Sequence, residues 1–211
     1  VRTGGAETAG GTRRNDTVEM GHGTRTANLT RDFRPGGVIQ TGVETDMAID
    51  GRGFFILETA EGEEVYTRNG HFGLDDQGNL ITSQGHLLAG GIQVPEGSAL
   101  TINEDGILIG QVAGEEEQQL GQLETVRFTN PSGLEGLGSG IYRKTPASGE
   151  PSRGTPGTEG YGRTLGQMLE TSNVDVAEEL IAMIMAQRSY ELTSKAISTA
   201  DEMLQVTNNL K

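Results

Sequence analysis

The chain has 211 residues, and 30 acidic against 16 basic side chains give it a formal net charge of −14. Nucleic acid and anionic membrane surfaces are therefore disfavoured partners, because both are bound through Lys and Arg. The absence of cysteine excludes disulfides and thiolate metal sites. No segment approaches the roughly 20 apolar residues that span a bilayer, so membrane insertion is not expected.

The first two segments of the chain differ in composition and in hydrophobic pattern. Residues 1–20 are polar and glycine-rich, which predicts a flexible lead-in. Residues 21–144 alternate short strand-like runs with glycine turns, which predicts an antiparallel β-rich domain. The clearest runs are 54–57 and 64–68, and the Asn69-Gly70 pair after them predicts a hairpin turn.

The second half predicts a linker and then a helix. Residues 145–172 contain Pro146, Pro151 and Pro156 among many glycines, which predicts a linker and return segment. Residues 173–211 predict a C-terminal assembly helix, since no Gly or Pro occurs from Asp175 to Asn208. Asp175 is its predicted N-cap. The predicted fold class is mainly β, an antiparallel domain of short strands and hairpins followed by one long α-helix.

Apolar residues in this helix recur in steps of three, four and seven, which predicts one apolar face for subunit assembly. The predicted assembly residues are Val176, Leu180, Met183, Ile184, Tyr190, Ile197 and Leu204. Met185, Leu192, Ala196 and Met203 are expected to widen the same face. Polar Gln187, Ser194 and Asp201 interrupt it, which favours a helix among several neighbours over a two-stranded zipper. The alternative is a helix folded back on its own domain, and the pattern leaves both open.

Residues typical of catalysis do not converge. His22, His71 and His86 lack the spacing of a zinc peptidase. Residues 75–79 resemble a calcium loop faintly, and a solvated hairpin turn is the favoured interpretation. We therefore expect no catalytic residue, no cofactor and no metal site.

Two stretches resemble the flagellar basal-body rod and hook proteins. The first is Met-Ala-Ile-Asp-Gly-Arg-Gly-Phe-Phe at 47–55 with Tyr-Thr-Arg-Asn-Gly-His-Phe at 66–72, and the second begins Leu-Glu-Thr-Ser-Asn-Val-Asp-Val at 169–176. The signature positions are Gly51, Gly53, Phe54, Phe55, Tyr66, Arg68, Gly70, Phe72, Ser172, Asn173 and Val174. Gly51 and Gly53 are expected to need positive φ or close backbone approach. One of Phe54 and Phe55 should enter the core, because neighbours alternate across a strand.

Within the family, Asn-Pro-x-Gly-Leu at 130–134 is most similar to the distal-rod members. The resemblance implies a structural subunit, not an enzyme, that polymerises with its own copies and with neighbouring rod and hook proteins. It implies a hollow, torque-transmitting shaft across the periplasm, export by the flagellar type III apparatus and a role in motility. Family members begin with a helix carrying an Ala-Asn-x-x-Asn-like motif, so the resemblance also implies a truncated sequence.

Three alternatives stay open at this point. A proximal rod or hook paralogue shares both main signatures. A cell-surface β-rich adhesin would use the helix as a stalk. A secreted β-rich hydrolase ranks last, because its candidate residues all lie in predicted turns.

Overall fold

The structure is a computed structural model that describes residues 31–112, 114 and 116–209. The lead-in predicted for residues 1–20 lies outside them. The described residues form one long helix, α1 (Val176–Asn209), a 3₁₀ turn at Pro131–Gly133, and short strands. The strands are β1 Val38–Gln40, β2 Met47–Asp50, β3 Phe54–Glu58, β4 Glu64–Thr67, β5 Gly73–Leu74, β6 Leu80–Ile81, β7 Leu87–Leu88, β8 Ser98–Ile102, β9 Ile107–Val112, β10 Gln118–Gln122, β11 Thr125–Arg127, β12 Glu135–Gly138, β13 Ile141–Arg143, β14 Ser152–Gly154, β15 Arg163–Gly166 and β16 Met168–Glu170.

The strands pair in an antiparallel manner and form four sheets. The largest runs β12-β13-β4-β3-β7-β6-β5, and β11 pairs with both β3 and β14 at its side. A three-stranded sheet has the order β10-β9-β8, and β15 with β2 and β1 with β16 form two ribbons. The predicted fold class is thus confirmed: a mainly antiparallel β unit followed by one long C-terminal helix. In the part of the chain that the structure describes, no helix combines the length and the apolar character needed to cross a bilayer.

Strand β3 lies at the centre of the large sheet and is covered on both faces. Phe55 and Leu57 join a cluster that also contains Met47 and Phe72. Phe54, on the opposite face, joins a second cluster, whose other members include Ile56, Tyr66, Val126 and Phe128. The sequence predicted one buried residue of the Phe54-Phe55 pair. Both are buried, because sheet neighbours shield both sides of the strand.

The hairpin predicted at Asn69-Gly70 is wrong. Strand β4 pairs with β3 and β13, and Gly70 does not adopt the positive φ that such a turn requires. Gly70 instead packs directly on β2: its carbonyl accepts a hydrogen bond from Met47 N–H at 3.0 Å. An ideal Cβ at Gly70 would lie 1.5 Å from the carbonyl oxygen of Met47. Glycine is needed here for close approach of two backbones.

The segment 145–172 is folded, in contrast to the predicted linker. It supplies β14, β15 and β16, which pair with β11, β2 and β1 respectively. Thr164 of β15 is buried, and its hydroxyl donates to the carbonyl of Asn103 at 2.6 Å. These strands have no apolar alternation of their own. They are held in place by pairing to distant strands. Composition therefore could not distinguish them from a linker.

Candidate subunit-assembly helix

Asp175 caps the start of α1, as the sequence predicts. Its Oδ1 accepts hydrogen bonds from the backbone N–H groups of Ala177, at 2.8 Å, and Glu178, at 3.4 Å. A carboxylate at this position satisfies amides that have no partner within the helix and interacts favourably with the helix dipole. The helix α1 begins at Val176, three residues after the start of the predicted segment 173–211.

All seven predicted assembly residues are exposed. Their exposed fractions run from 49% at Ile184 to 76% at Tyr190. Every side chain described between Val176 and Val206 is likewise exposed, so α1 does not bury its apolar residues against the sheets of its own chain. Large exposed apolar patches mark interaction sites in proteins. The arrangement gives no support to the folded-back alternative, while the assembly role of the seven residues stays a prediction.

The apolar residues of α1 form two flanks, not one widened face. Met183, Tyr190, Ile197 and Leu204 recur every seven residues and form the first flank. Met185 and Leu192 each follow a first-flank residue by two positions, which turns them about 200° away. The expectation that they widen one face is therefore wrong. The second flank comprises Ile181, Met185, Leu192 and Met203, which are 56–69% exposed.

A stripe of small side chains separates the two flanks. Its members follow steps of four and three and are Ala182, Ala186, Ser189, Thr193, Ala196 and Ala200. The charged residues Arg188, Glu191, Lys195 and Glu202 lie together on the remaining side of the helix. Because the small side chains leave room between the flanks, α1 presents two adjoining apolar surfaces.

An ion pair with low solvent exposure connects the β unit to the residues that lead into α1, 170–175, which we call the root of the helix. Arg68, just after β4, contacts Glu170 at the end of β16, with an Nη2–Oε2 distance of 2.8 Å. Their side chains are 14% and 12% exposed, whereas every other ion pair between described residues has one partner that is at least 46% exposed. The guanidinium also donates to the carbonyls of Gly51 and Gly53, at 3.1 and 2.8 Å. The sequence did not identify Glu170 as a functional partner, since 102 positions separate it from Arg68.

The family-signature residues other than Gly70 fall into three groups in space. Phe54, Phe55, Tyr66 and Phe72 are core residues, while Gly51, Gly53 and Arg68 lie where the β unit meets β16. Gly51 has a φ of 122°, in the region that favours glycine, as predicted. Ser172, Asn173 and Val174 form the exposed connection to α1. Burial, with help from the Glu64 carboxylate, raises the pKa of Tyr66 to about 12.

The remaining polar candidates have local structural partners. His71 Nδ1 lies 2.7 Å from the buried carboxylate of Asp46. Asp75 accepts hydrogen bonds from the backbone N–H groups of Gln77 and Asn79, so it organises the turn between β5 and β6. Hydrogen bonds from Asn79 hold the pKa of the Asp75 carboxyl below its ordinary value. Among the described residues, no group of three or more His, Asp or Glu side chains is arranged to hold a metal ion.

Comparison with known proteins identifies the family. The family described as the flagellar basal body rod FlgEFG protein C-terminal region matches residues 165–210, and the flagellar hook protein FlgE/F/G D1 domain matches residues 48–110. The flagellar basal-body rod protein FlgG of Borreliella burgdorferi is 44% identical over 197 residues, covering 92% of this chain and 74% of that protein. FlgG of Bacillus subtilis is 38% identical over 210 residues, covering 97% and 78%. The hook protein FlgE of Salmonella typhimurium is 40% identical over 110 residues, which are 52% of this chain and 27% of that protein.

An antiparallel β unit that carries a long helix with two uncovered apolar flanks defines a subunit of a larger assembly. The matched regions include part of the β unit and the helix, and the rod proteins match along far more of this chain than the hook protein does. The chain belongs to the FlgG family of flagellar basal-body rod proteins.

Proposed function

We propose that this chain is a structural subunit of the bacterial flagellar basal-body rod, of the distal-rod type. Copies of it build the hollow shaft that crosses the periplasm, transmits torque from motor to hook and serves as the export channel. The relatives named FlgG support this role, because they match more than nine tenths of the chain. The flagellar type III apparatus exports the subunit, and the neighbouring partners are other rod proteins and the hook. The role is mechanical, without a catalytic step or a nucleic-acid partner.

The observation that carries the proposal is the exposure of α1 on two flanks. A contact between different surfaces of identical subunits generates a helical fibre when its rotation does not close into a ring. The first flank of one copy meets α1 of a second copy, and the second flank meets a further helix. Four of the seven predicted assembly residues form the first flank, and Val176 and Leu180 lie beside it. Ile184 is turned about 100° from Met183, toward the charged side of the helix. The proximal rod and hook alternatives would use the same contacts, and nothing in the comparisons supports the adhesin alternative.

The test replaces two first-flank residues in the host gene. Met183→Glu with Ile197→Glu places two charges on side chains that are 55% and 59% exposed in the isolated chain. Lys195→Glu is the matched control, because it changes the net charge by the same amount on the charged side of the same helix. The measurements are swimming in soft agar, electron microscopy of isolated basal bodies, and thermal melting of the purified chain.

We expect the double variant to melt like the parent but to leave cells non-motile, with basal bodies that stop before the hook. The Lys195→Glu cells should swim. Gene deletion in the same host tests the proposal as a whole, and complete hooks on swimming deletion cells would refute it. Swimming cells with the double variant would instead show that the first flank is not an assembly surface.

A further inference from the structure

The Arg68 guanidinium donates four hydrogen bonds and makes one further close ion-pair contact. Nε donates to Glu170 Oε2 at 2.8 Å, and Nη1 donates to the carbonyls of Gly51 and Gly53. Nη2 lies 2.8 Å from Glu170 Oε2 and 3.3 Å from the carbonyl of Ile49. The planar guanidinium fork suits such a set of directions, which the ammonium group of lysine cannot reproduce. Arg68 thus joins the turn between β2 and β3 to the last residue of β16.

The second oxygen of Glu170 is also used. Its Oε1 accepts a hydrogen bond from the backbone N–H of Gly36 at 2.9 Å. The next residue, Thr171, donates its backbone N–H to the carbonyl of Gly37 at 2.7 Å. Asn173 Nδ2 donates to the carbonyl of Arg34 at 2.9 Å. Residues 34–37 therefore run beside the chain that leads into α1 and contact it at three successive points.

Phe33 packs residues 33–37 against the core. Its ring packs edge-on against Phe54, with ring centroids 5.4 Å apart, and against Tyr142, at 5.1 Å. Phe54 is 3% exposed and belongs to the second core cluster. Two routes thus connect the helix root to buried structure: Arg68 through Glu170, and residues 33–37 through Phe33. Beyond Asn173, the exposed residues Val174 and Asp175 lead directly to the helix.

We infer that Arg68 is a positioning residue for assembly: through Glu170 it fixes the root of α1 on the β unit, so that both flanks of the helix are presented in register to neighbouring subunits. The inference rests on the proposed function. A helix of 34 residues is about 50 Å long, so a small change of angle at its root moves its far end by many ångströms. An assembly built from repeated contacts needs that end in one place. The Arg68–Glu170 pair, with its low exposure and the four hydrogen bonds of the guanidinium, supplies the fixed point.

Two variants break the Arg68–Glu170 contact, which we call the anchor, with little change in side-chain volume. Arg68→Lys keeps the charge but loses the fork, and Glu170→Gln keeps the shape but has one acceptor oxygen in place of two. With glutamine, either Arg68 or the Gly36 N–H loses its acceptor. The matched controls are Arg143→Lys and Glu135→Gln. That pair has the same Nε and Nη2 contacts to one carboxylate oxygen, at 3.2 and 2.9 Å, but its side chains are 44% and 52% exposed.

Amide hydrogen exchange tests the anchor in the purified chain. In both anchor variants we expect the N–H of Thr171 to exchange faster by roughly tenfold or more, while the N–H of Leu57 in the core strand β3 keeps its protection. The controls should leave both unchanged. Equal acceleration at Thr171 and Leu57 would overturn the inference, since it would mean loss of general stability. An unchanged rate at Thr171 would overturn it as well.

Spin-label distances measure the orientation of α1 directly. The chain has no cysteine, so Glu61→Cys in the β3–β4 turn and Ser198→Cys on α1 provide two unique labels. We expect a single narrow distance distribution for the parent and the controls, and a broadened one for Arg68→Lys. A broad distribution in the parent would contradict the inference, because the root would then not fix the helix.

The final readout is swimming of cells that carry the anchor variants in the full-length gene. We expect Arg68→Lys to reduce swimming strongly and Arg143→Lys to leave it intact. Normal swimming with Arg68→Lys overturns the positioning role but leaves the proposed function standing. Normal swimming after gene deletion overturns the proposed function, and the exchange and distance measurements on the purified chain are unaffected by that result.

Discussion

Replacing Gly70 by alanine tests the close approach of β2 and the segment that follows β4. The added Cβ would lie 1.5 Å from the carbonyl oxygen of Met47 and 2.6 Å from its carbonyl carbon. A normal carbon–oxygen contact is about 3.3 Å, so the two backbones must separate by roughly 2 Å. That separation breaks the 3.0 Å hydrogen bond from Met47 N–H to the Gly70 carbonyl and disturbs the fully buried side chain of Met47.

The cost can be estimated from its two components. A lost backbone hydrogen bond costs about 1 kcal/mol. Overpacking of a well-packed core costs about 1–3 kcal/mol. We expect Gly70→Ala to lower the free energy of unfolding by about 3 kcal/mol, which for a chain of this size corresponds to a fall in Tm of roughly 6–12 °C. Gly70→Val should cost more, because its extra methyl groups must also be accommodated.

Gly73→Ala is the matched control for this prediction. Gly73 lies three residues later, in β5, lacks a positive φ and has no atom within 4 Å of an added Cβ. Its substitution should change the free energy of unfolding by less than about 0.5 kcal/mol. Urea unfolding followed by circular dichroism suits a chain without tryptophan. Equal midpoints for Gly70→Ala and Gly73→Ala would refute the reasoning.

Two further predictions concern the phenol of Tyr66 and the N-cap carboxylate of Asp175. Because the folded state holds the pKa of Tyr66 at about 12 and the unfolded value lies near 10, the free energy of unfolding should fall as pH rises from about 10 to 12. Tyr66→Phe should remove this fall, and a late-titrating phenol should disappear from the absorbance near 295 nm. Asp175→Ala should weaken the first turn of α1 by about 1 kcal/mol and lower the ellipticity at 222 nm. Asp201→Ala, inside the same helix, should not lower it.

The elements predicted correctly are those whose signals are local. The cap at Asp175 and the long run without Gly or Pro define α1 within its own sequence. The compact apolar run of β3 and the alternation in β4 likewise lie within a few residues. By contrast, β15 is a strand because Thr164 pairs with Ile49, more than a hundred positions away. A strand that depends on a distant partner leaves little trace in its own composition.

The candidate site shows the same difference between local signals and distant contacts. The sequence singled out Gly70 and Arg68 through the family signature, but not the reasons these residues are needed. For Gly70 the reason is contact with Met47, and for Arg68 it is Glu170 on a distant strand. Both depend on how β2, β4 and β16 pack together. Local turn propensity, which favoured an Asn-Gly hairpin, was overridden by that packing.

The exposure of α1 also bears on how many neighbours each subunit needs. Isolated helices gain little stability from local propensity, so most helix stability comes from burying an apolar surface. Burial of one large apolar side chain contributes about 1.5–3 kcal/mol. In α1 such side chains lie on two flanks, and Met185 is turned about 200° from Met183. We propose that each helix is packed between neighbours that cover the two flanks. Contacts of this kind can repeat along a fibre.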